Sequence, residues 1–176
     1  LLCFETTFDE RGEVLRRDFC LAALAQVAAN QPPRMRWGDT SRLGRPFSKD
    51  PPVVRSRGRH LLYSSIPAAA GDPAEKTWAT GIAESTDPIN WAKPGEMLPE
   101  RTCEARDTCA PCAKIIEGKV HLFYQTCGGG REDAICHAAS TDGVRFVRET
   151  ANPVFRPAGP WNADRAIDAE VAKYRG

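Results

Sequence analysis

The chain has 176 residues, 41% hydrophobic and 27% charged, with a formal net charge of +1. That is about one globular domain, and it lacks the basic excess that binding to nucleic acid or an anionic membrane surface calls for. No nucleic-acid or membrane partner is therefore expected, and function has to be sought in motifs and their spacing.

Residues 1–15 show no useful periodicity. Arg16-Arg17-Asp18-Phe19-Cys20 then precedes a short apolar run that ends in small residues, with Val27 and Ala29 suited to the positions before a cleavage point. This resembles a twin-arginine export signal with Cys20 where leucine is usual. The run, about eleven residues, is too short to span a bilayer. Residues 1–29 are thus expected to be a leader, and the protein to be exported to the periplasm or the extracellular space. Residues 30–46, with Pro32-Pro33 and scattered charges, read as a linker and lead-in strand.

The most informative stretch is Phe47-Ser-Lys-Asp50-Pro-Pro-Val-Val-Arg-Ser-Arg-Gly58-Arg-His-Leu-Leu-Tyr63-Ser-Ser. Val53 and Val54 are β-branched, Ser56-Arg57-Gly58 supplies a turn, and Leu61-Leu62-Tyr63 resumes the apolar run, so the stretch predicts a β-hairpin. Asp50 stands at the mouth of the first strand, held extended by Pro51. Packing does not call for an acid there.

Loss of the leader would leave Cys103, Cys109, Cys112, Cys127 and Cys136, an odd number in a compartment that permits disulfides. Cys109-Ala-Pro-Cys112 has the spacing of a zinc half-site or a redox motif. Pro111 and the apolar residues after Cys112 make it a strand entrance instead, with no helix N-terminus to lower a thiol pKa. Buried thiols with at most one disulfide are expected; a zinc site shared with Cys127 and Cys136 is the lesser alternative.

The hairpin recurs. Pro51 to Tyr63 lines up with Pro111 to Tyr124, the turn glycines Gly58 and Gly118 lie 60 residues apart, and the second copy is given one extra residue before its tyrosine. Each hairpin is followed by a matched turn: Ser85-Thr86-Asp87 with Trp91, and Ser140-Thr141-Asp142 with Phe146. Asp87 and Asp142 read as turn-forming residues with the aromatic ring tucked against the sheet. A third copy opens at Ala166-Ile167-Asp168 and reaches its glycine at Gly176. A unit of about sixty residues holding four short strands is the signature of a β-propeller blade. The expected fold is all-β: two four-stranded antiparallel sheets, about 50–100 and 110–156, and the first strand of a third blade. Equivalent positions of such repeats meet at the axis, so Asp50, Ala110 and Asp168 should share one pocket.

These motifs, with Arg165-Ala-Ile-Asp168-Ala-Glu170-Val, are similar to those of family 43 of the glycoside hydrolases, five-bladed propellers of arabinosidase and xylosidase type. The resemblance implies that residues 47–176 are the N-terminal part of a catalytic domain acting on an oligosaccharide or polysaccharide. It implies an inverting glycosidase with Asp50 as general base and Asp168 orienting the sugar and tuning the pKa of a glutamic acid beyond this sequence. Ala169 replaces the usual proline. Arg45, Phe47, Trp161 and Arg165 flank these positions as candidate substrate contacts. Glu170 is expected on the opposite side of its strand. No cofactor is expected, although a propeller axis can hold a structural calcium. Three alternatives stay open: a retaining fructosidase-like propeller, against which Ile167-Asp168-Ala169 counts, a carbohydrate-binding propeller without catalysis, and an inactive fragment.

Overall fold

The computed structural model describes residues 36–37, 49–68, 77–104, 107–126, 133–160, 163 and 165–174. The leader, most of the linker, and Arg45, Phe47, Cys127 and Trp161 lie outside them. Two tight turns set the architecture. Arg57 and Gly58 have φ of 50° and 75°, and Glu117 and Gly118 repeat this with 50° and 74°. Two successive residues at positive φ make a type I′ turn, whose twist matches that of the strands it joins. The first joins β2 (Val53–Ser56) to β3 (Arg59–Pro67); the second joins β6 (Cys109–Ile116) to β7 (Lys119–Thr126).

β4 (Trp78–Ser85) and β5 (Asn90–Met97) complete the first meander, and β8 (Ala134–Ser140) and β9 (Val147–Arg148) complete the second. Both are four-stranded and antiparallel, in sequence order. They are two blades of a β-propeller. One strand falls outside that plan: β1 (Arg36–Trp37) adds to the outer edge of the first blade, parallel to β5. The third copy, residues 165–174, forms no strand pairing.

The blades pack through a common buried cluster. Leu61, Tyr63, Ile82 and Met97 come from the first blade; Ala113, Val120, Leu122, Tyr124, Cys136 and Ala138 come from the second. Burying each large apolar side chain contributes roughly 1.5–3 kcal/mol. Polar links fix how the blades meet. The Tyr63 hydroxyl donates to the Gly143 carbonyl at 2.8 Å, and Arg59 Nη2 donates to the Asp142 carbonyl at 2.8 Å. Buried Thr108, just before β6, accepts from the Thr80 amide at 3.1 Å and donates through Oγ1 to the Met97 carbonyl at 2.6 Å.

The Ser-Thr-Asp turns are built alike. Asp87 Oδ1 accepts from the amides of Ile89 and Asn90, and Asp142 Oδ1 accepts from those of Val144 and Arg145. These hydrogen bonds to the ionised form hold both carboxyl groups well below the usual range, with the Asn90 and Arg145 amides foremost. Trp91 is buried against Leu62 and Ala83 of its own blade. Phe146 instead reaches across to the first blade, edge-on to Tyr63 with centroids 5.6 Å apart.

The pairing corrects one detail of the repeat. Val53 pairs with Leu62 and Ala113 with Leu122; Lys49 pairs with Ser65 and Cys109 with Gln125. The offset is therefore 60 throughout the hairpin, and Tyr63 corresponds to Phe123, not Tyr124. No residue is inserted. The two tyrosines lie on opposite faces of their strands because side chains alternate with period two.

Candidate active site

Where β2 meets its lead-in, the chain does not run straight. Lys49 pairs with Ser65, and the Tyr63 amide donates to the Pro52 carbonyl at 3.1 Å. Asp50 and Pro51 therefore oppose the single residue Ser64, which is a β-bulge. The second blade repeats it: Cys109 pairs with Gln125 and Cys112 with Phe123, leaving Ala110 and Pro111 opposite Tyr124. The first residue of each bulge is left-handed, with φ of 54° at Asp50 and 43° at Ala110, and Asp168 of the third copy has 51°. Such a bulge normally places glycine there, because a side chain at positive φ costs about 1–2 kcal/mol. Three non-glycine residues in that conformation, at equivalent positions, mark where the fold re-aims a side chain.

The two bulges and the equivalent third segment meet. Asp50-Pro51-Pro52, Ala110-Pro111-Cys112 and Asp168-Ala169-Glu170 together line one open pocket of about 370 Å³. That volume lies in the range of small-molecule sites, roughly 300–1,000 Å³. Ala110 contributes no charge, so the pocket carries carboxylates on the first and third segments and space on the second.

Asp50 Oδ2 accepts from the Ser65 hydroxyl at 3.2 Å and lies 3.5 Å from Lys49 Nζ. Ser65 also accepts from the Ala110 amide at 2.7 Å. In the second blade the Gln125 side-chain oxygen, at the same register as Ser65, accepts from the Asp168 amide at 3.4 Å. The left-handed amides of Ala110 and Asp168 are thus each held by a side chain of the preceding blade. Sequence patterns gave no sign of Ser65 or Gln125; only the register of the bulge shows what they do.

One expectation changes here. Glu170 lines the pocket with Asp168 instead of pointing away from it, because Asp168 is left-handed and the segment is not a regular strand, so side chains need not alternate. Its carboxylate lies 2.5 Å from Lys114 Nζ, which holds its pKa below the usual range. Arg165 is not among the pocket-lining residues; its Nε donates at 2.5 Å to Asp133, which is almost fully buried. It ties the third segment to the lead-in of β8.

Of the described cysteines, Cys103, Cys112 and Cys136 are free thiols. Cys136 and Cys103 approach to 3.9 Å between sulfurs, and burial, then the neighbouring Cys103, push the Cys136 thiol up to about 12. Among the described residues no cluster of three His, Cys, Asp or Glu is spaced to hold a metal ion.

No family model matches the sequence, and no curated protein matches it significantly. Solved structures do. Fructan 1-exohydrolase IIa from Cichorium intybus superposes with a TM-score of 0.55 at 17% identity, covering 75% of this chain and 24% of its own. A family 117 glycoside hydrolase from the marine bacterium Zobellia galactanivorans gives 0.50 at 20% identity, covering 60% of this chain and 32% of its own. The fold is that of the propeller glycosidases. A thermostable family-43 glycoside hydrolase gives a TM-score of 0.49 at 15% identity, over 60% of this chain and 38% of its own. The likeness does not single out family 43, and the chain spans about a quarter to two-fifths of the length of these structures.

Proposed function

We propose that the protein is an inverting glycoside hydrolase of family-43 type, acting on arabinose- or xylose-containing oligosaccharides, with Asp50 as general base. The observation that supports this best is the convergence of three equivalent left-handed positions on one pocket with acids at two of them. Asp50 deprotonates a water that attacks the anomeric carbon from one side. A glutamic acid supplied by a later part of the propeller protonates the leaving oxygen from the other. Carboxyl groups roughly 6.5–9.5 Å apart leave room for that water. Asp168 holds the sugar hydroxyls, and Ala110 leaves the floor of the pocket open to the ring. Arg45, Phe47 and Trp161 stand as candidate contacts on the substrate.

A retaining, fructosidase-like reading would make Asp50 a nucleophile, and a binding-only propeller would need no base at all. Proton NMR of the first-formed anomer separates them, with aryl α-L-arabinofuranosides and β-D-xylosides as substrates and sucrose and inulin as controls. Inversion on an arabinoside or xyloside supports the proposal. Retention on a fructoside, or binding without turnover, would replace it.

A further inference from the structure

We infer that Ser65 is the positioning residue for Asp50, an inference that rests on the glycosidase reading of the pocket. Ser65 is 2% exposed and sits where the two described blades meet the pocket. Its backbone is pinned to Lys49 in both directions: the Ser65 amide donates to the Lys49 carbonyl at 2.8 Å, and the Lys49 amide donates to the Ser65 carbonyl at 3.2 Å.

Its hydroxyl has one proton to give. The Ala110 amide, 2.7 Å away, can only donate, so it occupies a lone pair of Oγ and leaves the proton free to point at Asp50 Oδ2, 3.2 Å away. The second blade thus fixes the orientation of a hydroxyl that fixes the carboxylate of the first. Lys49, the other group near Asp50, has its side chain 66% exposed and is a loose, screened partner. Gln125 at the equivalent register reaches the Asp168 backbone amide, so it anchors a main chain, whereas Ser65 anchors a carboxylate as well. Asp50 lies in an open pocket on a left-handed bulge, and Ser65 is the buried group that limits its rotation.

The test uses the full-length protein and an aryl glycoside that it cleaves, with kcat and KM expressed per folded molecule as scored by far-UV circular dichroism. Ser65→Ala, and the volume-matched Ser65→Cys in case alanine weakens folding, should lower kcat about tenfold, the scale of one charge-assisted hydrogen bond. KM should stay within about twofold, because the substrate contacts are untouched. A purely structural serine would lower the unfolding midpoint and leave kcat per folded molecule unchanged. Asp50→Asn is measured alongside. If it is inactive while both Ser65 variants keep the wild-type kcat, the positioning role is overturned and the glycosidase reading stands; if Asp50→Asn keeps full activity, the reading of the pocket itself is overturned.

Discussion

Glu104→Ala should be among the most damaging substitutions remote from the pocket. Glu104 sits in a 3-10 turn, Thr102–Glu104, between the blades, and is completely buried. Its Oε2 accepts from the amides of Glu100 at 2.6 Å and Arg101 at 3.0 Å. Its Oε1 accepts from the Tyr124 hydroxyl at 2.5 Å and from Arg148 Nε at 2.8 Å. Burial alone would push this carboxyl up, but the four donors together hold it below the usual range. Alanine would leave a largely buried guanidinium with the exposed Glu100 carboxylate and the Leu98 carbonyl. Removing one partner of a buried ion pair costs about 3–5 kcal/mol. Against a typical total of about 5–15 kcal/mol that is a large share. Urea denaturation of the full-length protein, followed by tryptophan fluorescence, measures it at constant m-value. The pH dependence adds a second reading. A carboxyl whose folded pKa is depressed contributes stability above its unfolded value, about 4.3, and loses it as pH falls through the folded one. Glu104→Gln should therefore flatten the stability profile below about pH 4 relative to wild type. A loss under about 1 kcal/mol for Glu104→Ala, with an unchanged acid limb for Glu104→Gln, would refute the reasoning.

Two further substitutions probe the blade interface. Gly143→Ala places a Cβ at positive φ (77°) and in a clash with Leu61 Cδ1, so the unfolding midpoint should drop by the equivalent of about 1–3 kcal/mol. Thr108→Val keeps the shape but leaves the Thr80 amide without its acceptor and the Met97 carbonyl without its donor. The cost should be about 1–3 kcal/mol by chemical denaturation, with far-UV circular dichroism of the native state unchanged.

Much of the fold was legible because it is written in local chemistry. Gly58 and Gly118 mark type I′ turns, and the Ser-Thr-Asp triplets build turns whose serine and aspartate side chains bond within a few residues. Their order and spacing then specify blades. The repeat also pointed to Asp50, Ala110 and Asp168, since equivalent positions converge on an axis. What escaped depended on register or on distant partners. Matching Tyr63 to Tyr124 by identity hid the uniform offset of 60, and with it the bulge and the work of Ser65. Glu104 lies in Glu100-Arg101-Thr102-Cys103-Glu104, which reads as a solvated loop; only Tyr124 and Arg148, 20 and 44 residues on, make it a buried anchor. The bond from Arg165 to the buried Asp133, 32 residues back, was equally hidden.

The most direct test of the account is the turnover of Asp50→Asn in the full-length protein on the best aryl arabinofuranoside or xyloside. The substitution keeps the size of the side chain and its hydrogen-bonding reach to Ser65 but removes the base. The account predicts a fall in kcat of about a hundredfold or more, the scale of a lost general base, with substrate binding retained. Wild-type turnover in Asp50→Asn would contradict it.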